Sequence, residues 1–208
     1  MRIWGMGVLG LSLLWSASVQ AQTDLVEHQS QFGFRYQLPT YWKVLNAQEL
    51  DAVLGRFDRD TLNQAQVDAE IVQSLERQVR QDSWEMIYNT QSVEGDFTDN
   101  ININRVTSTE LIPESQAQIT SLCTDLQQIL TQNLQHPIQL ETCSYHQVDD
   151  RPGVRLAFEL PNGNWQQQYM FQSDNMRSVV LVATYASRDS TESQKDVAAM
   201  IGSLKFTQ

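Results

Sequence analysis

Three histidines, three lysines and two cysteines are all that 208 residues hold of those types, and each scarcity closes off a class of function. His28, His136 and His146 stand far apart, with no His-x-x-x-His pair and no cysteine at a zinc interval, so no metal motif is present. Gly-x-Ser-x-Gly, Ser-x-x-Lys and Gly-rich phosphate loops are missing too, which removes the sequence signs of nucleophilic catalysis and nucleotide binding. A triad or carboxylate pair assembled in space escapes that test. With 14 basic against 25 acidic residues the formal charge is −11, the wrong sign for a nucleic acid or an anionic membrane surface.

Long apolar runs are scarce as well. Residues 3–14 form one, apolar except for Gly and Ser, behind Met1-Arg2 and ahead of the small-residue site Val19-Gln20-Ala21. Its length of about 12 residues falls short of the roughly 20 that cross a bilayer. It is predicted to be a signal peptide, residues 1–21, cleaved after Ala21. No cysteine follows that site, so no lipoprotein anchor is indicated. Cleavage removes one Arg and no acid, leaving 13 basic against 25 acidic residues, a charge of −12. The expectation is a periplasmic or secreted protein without a membrane span in its mature form, residues 22–208 making a single globular α+β domain.

Cys123 and Cys143, with 19 residues between them, would meet an oxidising compartment after export. A disulfide joining them is expected to staple a helix to a strand and to contribute ~3 kcal/mol by the loop-entropy model. Two buried free thiols are the alternative. A redox centre is a weaker one, since no Cys-x-x-Cys motif or basic neighbourhood is there to lower a thiol pKa.

The chain is organised around its last third. Strand-like runs at 138–147, 153–160, 164–172 and 177–185 are joined by short connections, and Pro161-Asn162-Gly163-Asn164 carries the Asn-Gly signal of a tight primed hairpin turn. This predicts an antiparallel meander, with the last run central because residues 179–183 are apolar on both faces. Residues 22–30 are polar and read as a loose lead-in. Phe32, Phe34, Tyr36 and Leu38 alternate as a half-buried strand, and Trp42 is expected to fold back onto the sheet as core, with ligand stacking the alternative.

Helices are predicted from Asn46 to Phe57 and from Thr61 to about Gln81, both opened by capping boxes. Strands follow at 83–89 and 100–106. A helix behind Pro113 and Ser115 carries the stripe Ile119, Leu122, Cys123, Leu126, Leu130 and Leu134. A closing helix behind the box Asp189-Ser190-Thr191-Glu192 presents Val197, Met200, Ile201 and Leu204.

Among side chains that bear chemistry, His146 reads as a sheet-edge residue. Glu94, Asp96, Asp99 and Asn100 offer oxygens but lack the Gly and bidentate Glu of a calcium loop. Strand 164–172 puts Trp165, Gln167, Tyr169 and Phe171 on one face and Gln166, Gln168, Met170 and Gln172 on the other. That is either one apolar and one polar face, or a Gln-lined patch for a sugar or an extended peptide.

The aromatic strand FGFRYQLPTYW (residues 32–42), the late meander RLAFEL, QQQYMFQ and SVVLVATYAS, and the terminal VAAMIGSLKF (residues 197–206) together resemble the PsbP-like family, the fold of the extrinsic PsbP subunit of photosystem II. The likeness covers both ends of the chain after the leader; residues 46–82 look like an elaboration. It implies an antiparallel sheet of about six or seven strands sandwiched between helices, the α-β-α form of the α+β class. Its relatives are mostly non-enzymatic: extrinsic subunits, a nuclear Ran-binding factor, secretion chaperones and exported bacterial proteins. These patterns pack cores, so no functional residue carries over. The expected function is that of an exported soluble binding or accessory protein, without catalysis or cofactor. Its partner is expected to be another envelope protein or a small polar ligand. The alternatives are a periplasmic hydrolase and a calcium-dependent extrinsic subunit.

Overall fold

A computed structural model describes residues 24–45, 84–92, 97–107, 112, 115–174 and 177–207. The leader expected at 1–21 and the two helices expected between 46 and 81 lie outside the described residues.

Seven antiparallel strands form the main sheet, in the spatial order β3 (Trp42–Leu45), β4 (Trp84–Asn89), β5 (Asn100–Thr107), β9 (Arg177–Tyr185), β8 (Trp165–Asp174), β7 (Gly153–Glu159) and β6 (Thr142–Tyr145). The meander β6–β9 is as the sequence predicts, and β9 lies at the centre because both of its edges find partners, β5 and β8. A second sheet of three strands pairs β1 (Leu25–Ser30) with β2 (Phe34–Pro39), and β2 with the two-residue β10 (Lys205–Phe206). The aromatic strand thus sits beside the two ends of the described chain instead of in the main sheet.

Two helices complete the layers. One face of α1 (Gln116–Leu134) buries Ile119 and half-buries Leu122, Leu126 and Leu130 against Val154, Leu156 and Met170. On the opposite face of the sheet, α2 (Thr191–Ser203) inserts Val197, Met200 and Ile201 among Phe34, Tyr36, Trp42, Ile101 and Leu181. Each such aliphatic side chain, once buried, contributes roughly 2 kcal/mol. The order helix, sheet, helix follows from one sheet needing cover on both faces.

Several local expectations are corrected. The polar lead-in is mostly strand: residues 25–30 pair with 34–39 along their full length, although only Ser30 among them is buried. At residues 138–147 only Thr142–Tyr145 is strand; Ile138 and Leu140 turn under α1 as irregular chain, with Ile138 N–H donating to Thr131 Oγ1 at 3.1 Å. In the Asn-Gly turn Gly163 alone has positive φ (85°), and its N–H donates to Leu160 C=O at 2.9 Å. That is a type I turn closed by a left-handed glycine, the usual three-residue hairpin. The primed turn lies instead at Val148–Arg151, where Asp149 (φ 48°) and Asp150 (φ 63°) are both left-handed. The residue capping α2 is Ser190 and its side chain makes no cap bond, so the box predicted from Asp189 does not form. Finally, α1 covers only the β6–β8 end of its face; Val180 and Val182 of β9 stay half-buried.

Candidate functional site

The register decides which side chains of the meander look toward α2. Arg155 of β7 is opposite Tyr169 of β8, which is opposite Leu181 of β9; Gln167 is opposite Ala157 and Ala183. All of them belong to the face that α2 covers. On that helix Ala198 and Gly202 are four residues apart, hence on one stripe. These two small residues keep the helix from filling the space above β7 and β8. A cleft of about 600 Å³ results, walled by α2, by His146 to Asp149 after β6, and by Leu204 and Lys205 at the start of β10. Pockets of this size and mixed lining are the usual seats of small ligands.

The polar lining is held in place by a chain of hydrogen bonds. Tyr169 and Tyr185 hydroxyls donate to Gln167 Oε1 at 3.2 and 3.4 Å, Gln167 Nε2 donates to Gln194 Oε1 at 3.1 Å, and Gln194 Nε2 donates to Arg188 C=O at 2.8 Å. Gln167 is only 4% exposed, and this network is what satisfies it there. The network fills both lone pairs of Gln167 Oε1 and one of Gln194 Oε1.

Arg155 stands out among them. Its guanidinium carbon lies 5.8 Å from the centre of the Tyr169 ring, its Nε is buried without a hydrogen-bond partner, and among the described residues no carboxylate pairs with it. His146 places its ring edge-on to Tyr169, centroids 5.5 Å apart, and also leans on Phe171. Burial first, and then the charge of Arg155, hold the His146 imidazole below its ordinary pKa, so it is neutral at pH 7. Lys195 and Lys205 stand at the rim, already bonded to Glu192 and Asp149. Asp149 also accepts from the Phe206 N–H at 2.7 Å, and this bond, with Lys205, holds its carboxyl below the usual range.

The other candidates are distributed elsewhere. His28 stacks on Tyr36 at 5.5 Å, and His136 is exposed at the end of α1. Among the described residues no hydroxyl or carboxylate is hydrogen-bonded to His146, and no group of three His, Cys, Asp or Glu side chains gathers as a metal nest. Of the calcium-loop candidates, Glu94 and Asp96 lie outside the described residues. Asp99 is buried and accepts from Ala186 N–H at 2.8 Å; Asn100 Nδ2 donates to Thr98 C=O at 2.9 Å. Trp42 is core, its Nε1 donating to Asp196 of α2 at 2.9 Å.

The Gln-rich strand divides as its alternation implies. Trp165, Gln167, Tyr169 and Phe171 are buried, while Gln166 and Gln168 bond each other at 2.8 Å on the outer face. Cys123 and Cys143 are joined in a disulfide with Cα atoms 5.9 Å apart, tying α1 to β6 away from the cleft. No described helix is long and apolar enough to cross a membrane.

Arg155 and the Ala198/Gly202 stripe were absent from the sequence reading. The face of β7 toward α2 reads Gly153, Arg155, Ala157, two small residues and a charge, while the opposite, equally buried face carries Val154, Leu156 and Phe158. An inward face without bulk was the available signal that something other than packing occupies that side.

No family model and no curated protein matches the sequence. Solved structures do match the fold. The solution structure of cyanobacterial PsbP (CyanoP) from Synechocystis sp. PCC 6803 aligns with 93% of this chain and 98% of its own, at a TM-score of 0.50 and 11% identity. The crystal structure of LpqN, involved in cell envelope biogenesis of Mycobacterium tuberculosis, aligns with 90% of this chain and 91% of its own, at 0.48 and 13%. The chain has the PsbP-like α+β fold, and at these identities the likeness speaks to fold alone.

Proposed function

We propose that this chain is an exported accessory protein that acts by binding a small polar ligand in the cleft beneath α2, without transforming it. The leader expected from the sequence and the Cys123–Cys143 disulfide support export to a periplasmic or secreted location, with another envelope protein as the partner that reads the bound state. The observation that carries the binding reading is the state of the cleft. It is held open by Ala198 and Gly202, its glutamines are fixed by hydrogen bonds, and among the described residues no hydroxyl is hydrogen-bonded to His146. Preorganised donors with no activated nucleophile suit capture rather than acyl transfer.

The test is a titration of the isotope-labelled chain with a panel of neutral and charged small molecules, followed through backbone amide shifts. At least one molecule is expected to move His146, Gln167, Gln194 and Gly202 together and saturably. Ala198→Trp, at an exposed helix position that borders the cleft, is expected to abolish those shifts with the fold intact. Absence of any saturable response at the four amides, or turnover of a panel member in the tube, would overturn the reading.

A further inference from the structure

We infer that the cleft selects an amphipathic anion, a carboxylate or phosphate monoester whose oxygens bond Arg155 and whose apolar body lies along Ile201, Gly202 and Leu204. The inference rests on reading the cleft as a ligand site and adds the chemistry of what enters.

Three observations carry it. The first is the state of Arg155. A guanidinium has five donors and no acceptor, and its buried Nε here has no partner. Elsewhere among the described residues cations have partners: Lys195 has Glu192, Lys205 has Asp149, Arg188 has Glu141, and Arg105 and Arg151 donate to backbone carbonyls. In a chain with 25 acidic residues, an arginine on an inward face without a carboxylate is a place left for an anion from outside. The second is the direction of the network. With Gln167 Oε1 filled by two hydroxyls and Gln194 Oε1 partly filled by an amide, the guanidinium is the largest set of donors in the cleft lining, and it has no acceptor of its own. A ligand bringing a pair of acceptor oxygens matches that guanidinium. The third is volume. About 600 Å³ exceeds what a bare oxyanion fills, and Ala198, Ile201 and Leu204 give part of the lining an aliphatic character. A guanidinium and an aliphatic patch lining one cleft describe a head and a tail.

The experiment compares probes that share a tail. Hexanoate, monohexyl phosphate and the neutral hexanamide are each titrated into the purified chain by calorimetry, with amide shifts locating the site. One of the two acids is expected to bind roughly 10- to 100-fold more tightly than hexanamide, the range of a charge-assisted hydrogen bond; whichever acid leads identifies the head group. Arg155→Gln is expected to bring that acid down to the level of the amide. Arg155→Lys, which keeps the charge but loses the fork, retains part of the preference and carries the test where Arg155→Gln does not fold. Hexanamide binding in the cleft as well as both acids, or an acid preference untouched in the Arg155 variants, overturns the anion inference and leaves the binding reading standing. Silence of all three probes at the cleft overturns both.

Discussion

On β4, Glu85 is 7% exposed and accepts from the Tyr36 hydroxyl at 2.8 Å and the Ser30 hydroxyl at 3.0 Å, so one carboxylate bolts the small sheet to the large one. Burial pushes its pKa up, and the two hydroxyl bonds pull only part of the way back. A raised value in the folded state means that the native protein holds this proton after the unfolded chain has released it. Stability from this group is therefore full below the unfolded value and falls as pH climbs through the folded one. Glu85→Gln keeps the shape and removes the charge. It is expected to raise stability by on the order of 1 kcal/mol near about pH 8 and by almost nothing near about pH 4, read from melting temperatures across that range. Glu85→Ala strands both hydroxyls and is expected to cost about 2 kcal/mol near about pH 4 and roughly 1 kcal/mol less near about pH 8, where the wild type has lost its own pH-dependent share. Gly153 is constrained differently. A Cβ there would lie 2.5 Å from Phe171 Cδ1 and 2.6 and 2.7 Å from the carbonyl oxygens of His146 and Met170. Two of those three obstacles are backbone and do not swing aside, so Gly153→Ala is expected to cost about 3 kcal/mol in chemical denaturation.

At the scale of elements, β6 is the edge of the main sheet and has β7 on one side only, so α1 must secure it. It does so through the disulfide and through Tyr145 N–H donating to Gln116 Oε1 at 2.8 Å. Replacing both cysteines by alanine is expected to cost about 3 kcal/mol, and hydrogen exchange should speed up in α1 and β6 while α2 keeps its protection. Equal acceleration in both helices would show that the bridge serves the whole fold and not this edge. The amphipathic stripes of α1 and α2 and the hairpins of the meander were legible because their apolar periods are strong and local. β1 was not, since Leu25 and Val26 are exposed and its order comes from backbone pairing with β2, which leaves no side-chain pattern. Ile138 and Leu140 misled for the opposite reason: they alternate like a strand, yet the surface they meet is α1. The partners of β2 were beyond local reading, because β10 is a pairing across the whole chain.

The whole molecule closes the cleft from segments far apart in sequence. Arg155 and Tyr169 come from the meander, Gln194 and Lys195 from α2, and Lys205 from the strand that returns to β2. No window of sequence contains that site; it exists only once α2 lies across the meander, and for that reason His146 read as an edge residue. The titratable and charged groups that line the cleft with His146 are Arg155 from β7, Tyr169 from β8, Asp149 from the turn, Lys195 from α2 and Lys205 from β10, of which Tyr169 touches its ring. In the free protein burial and the Arg155 charge keep its imidazole neutral. An anion on Arg155 cancels the second cause while burial remains, so the imidazole takes up a proton more readily in the bound state than in the free one. By linkage, affinity for the acid probe must then rise as pH falls, until the probe itself is protonated. The expectation is roughly a fivefold gain between about pH 7.5 and about pH 5.5, with proton uptake visible in calorimetry as a dependence on buffer ionisation heat. His146→Asn should flatten both signals while leaving the preference for acid over amide, because that preference belongs to Arg155. A pH profile that survives His146→Asn unchanged would place the titrating group elsewhere in the cleft and remove His146 from the account.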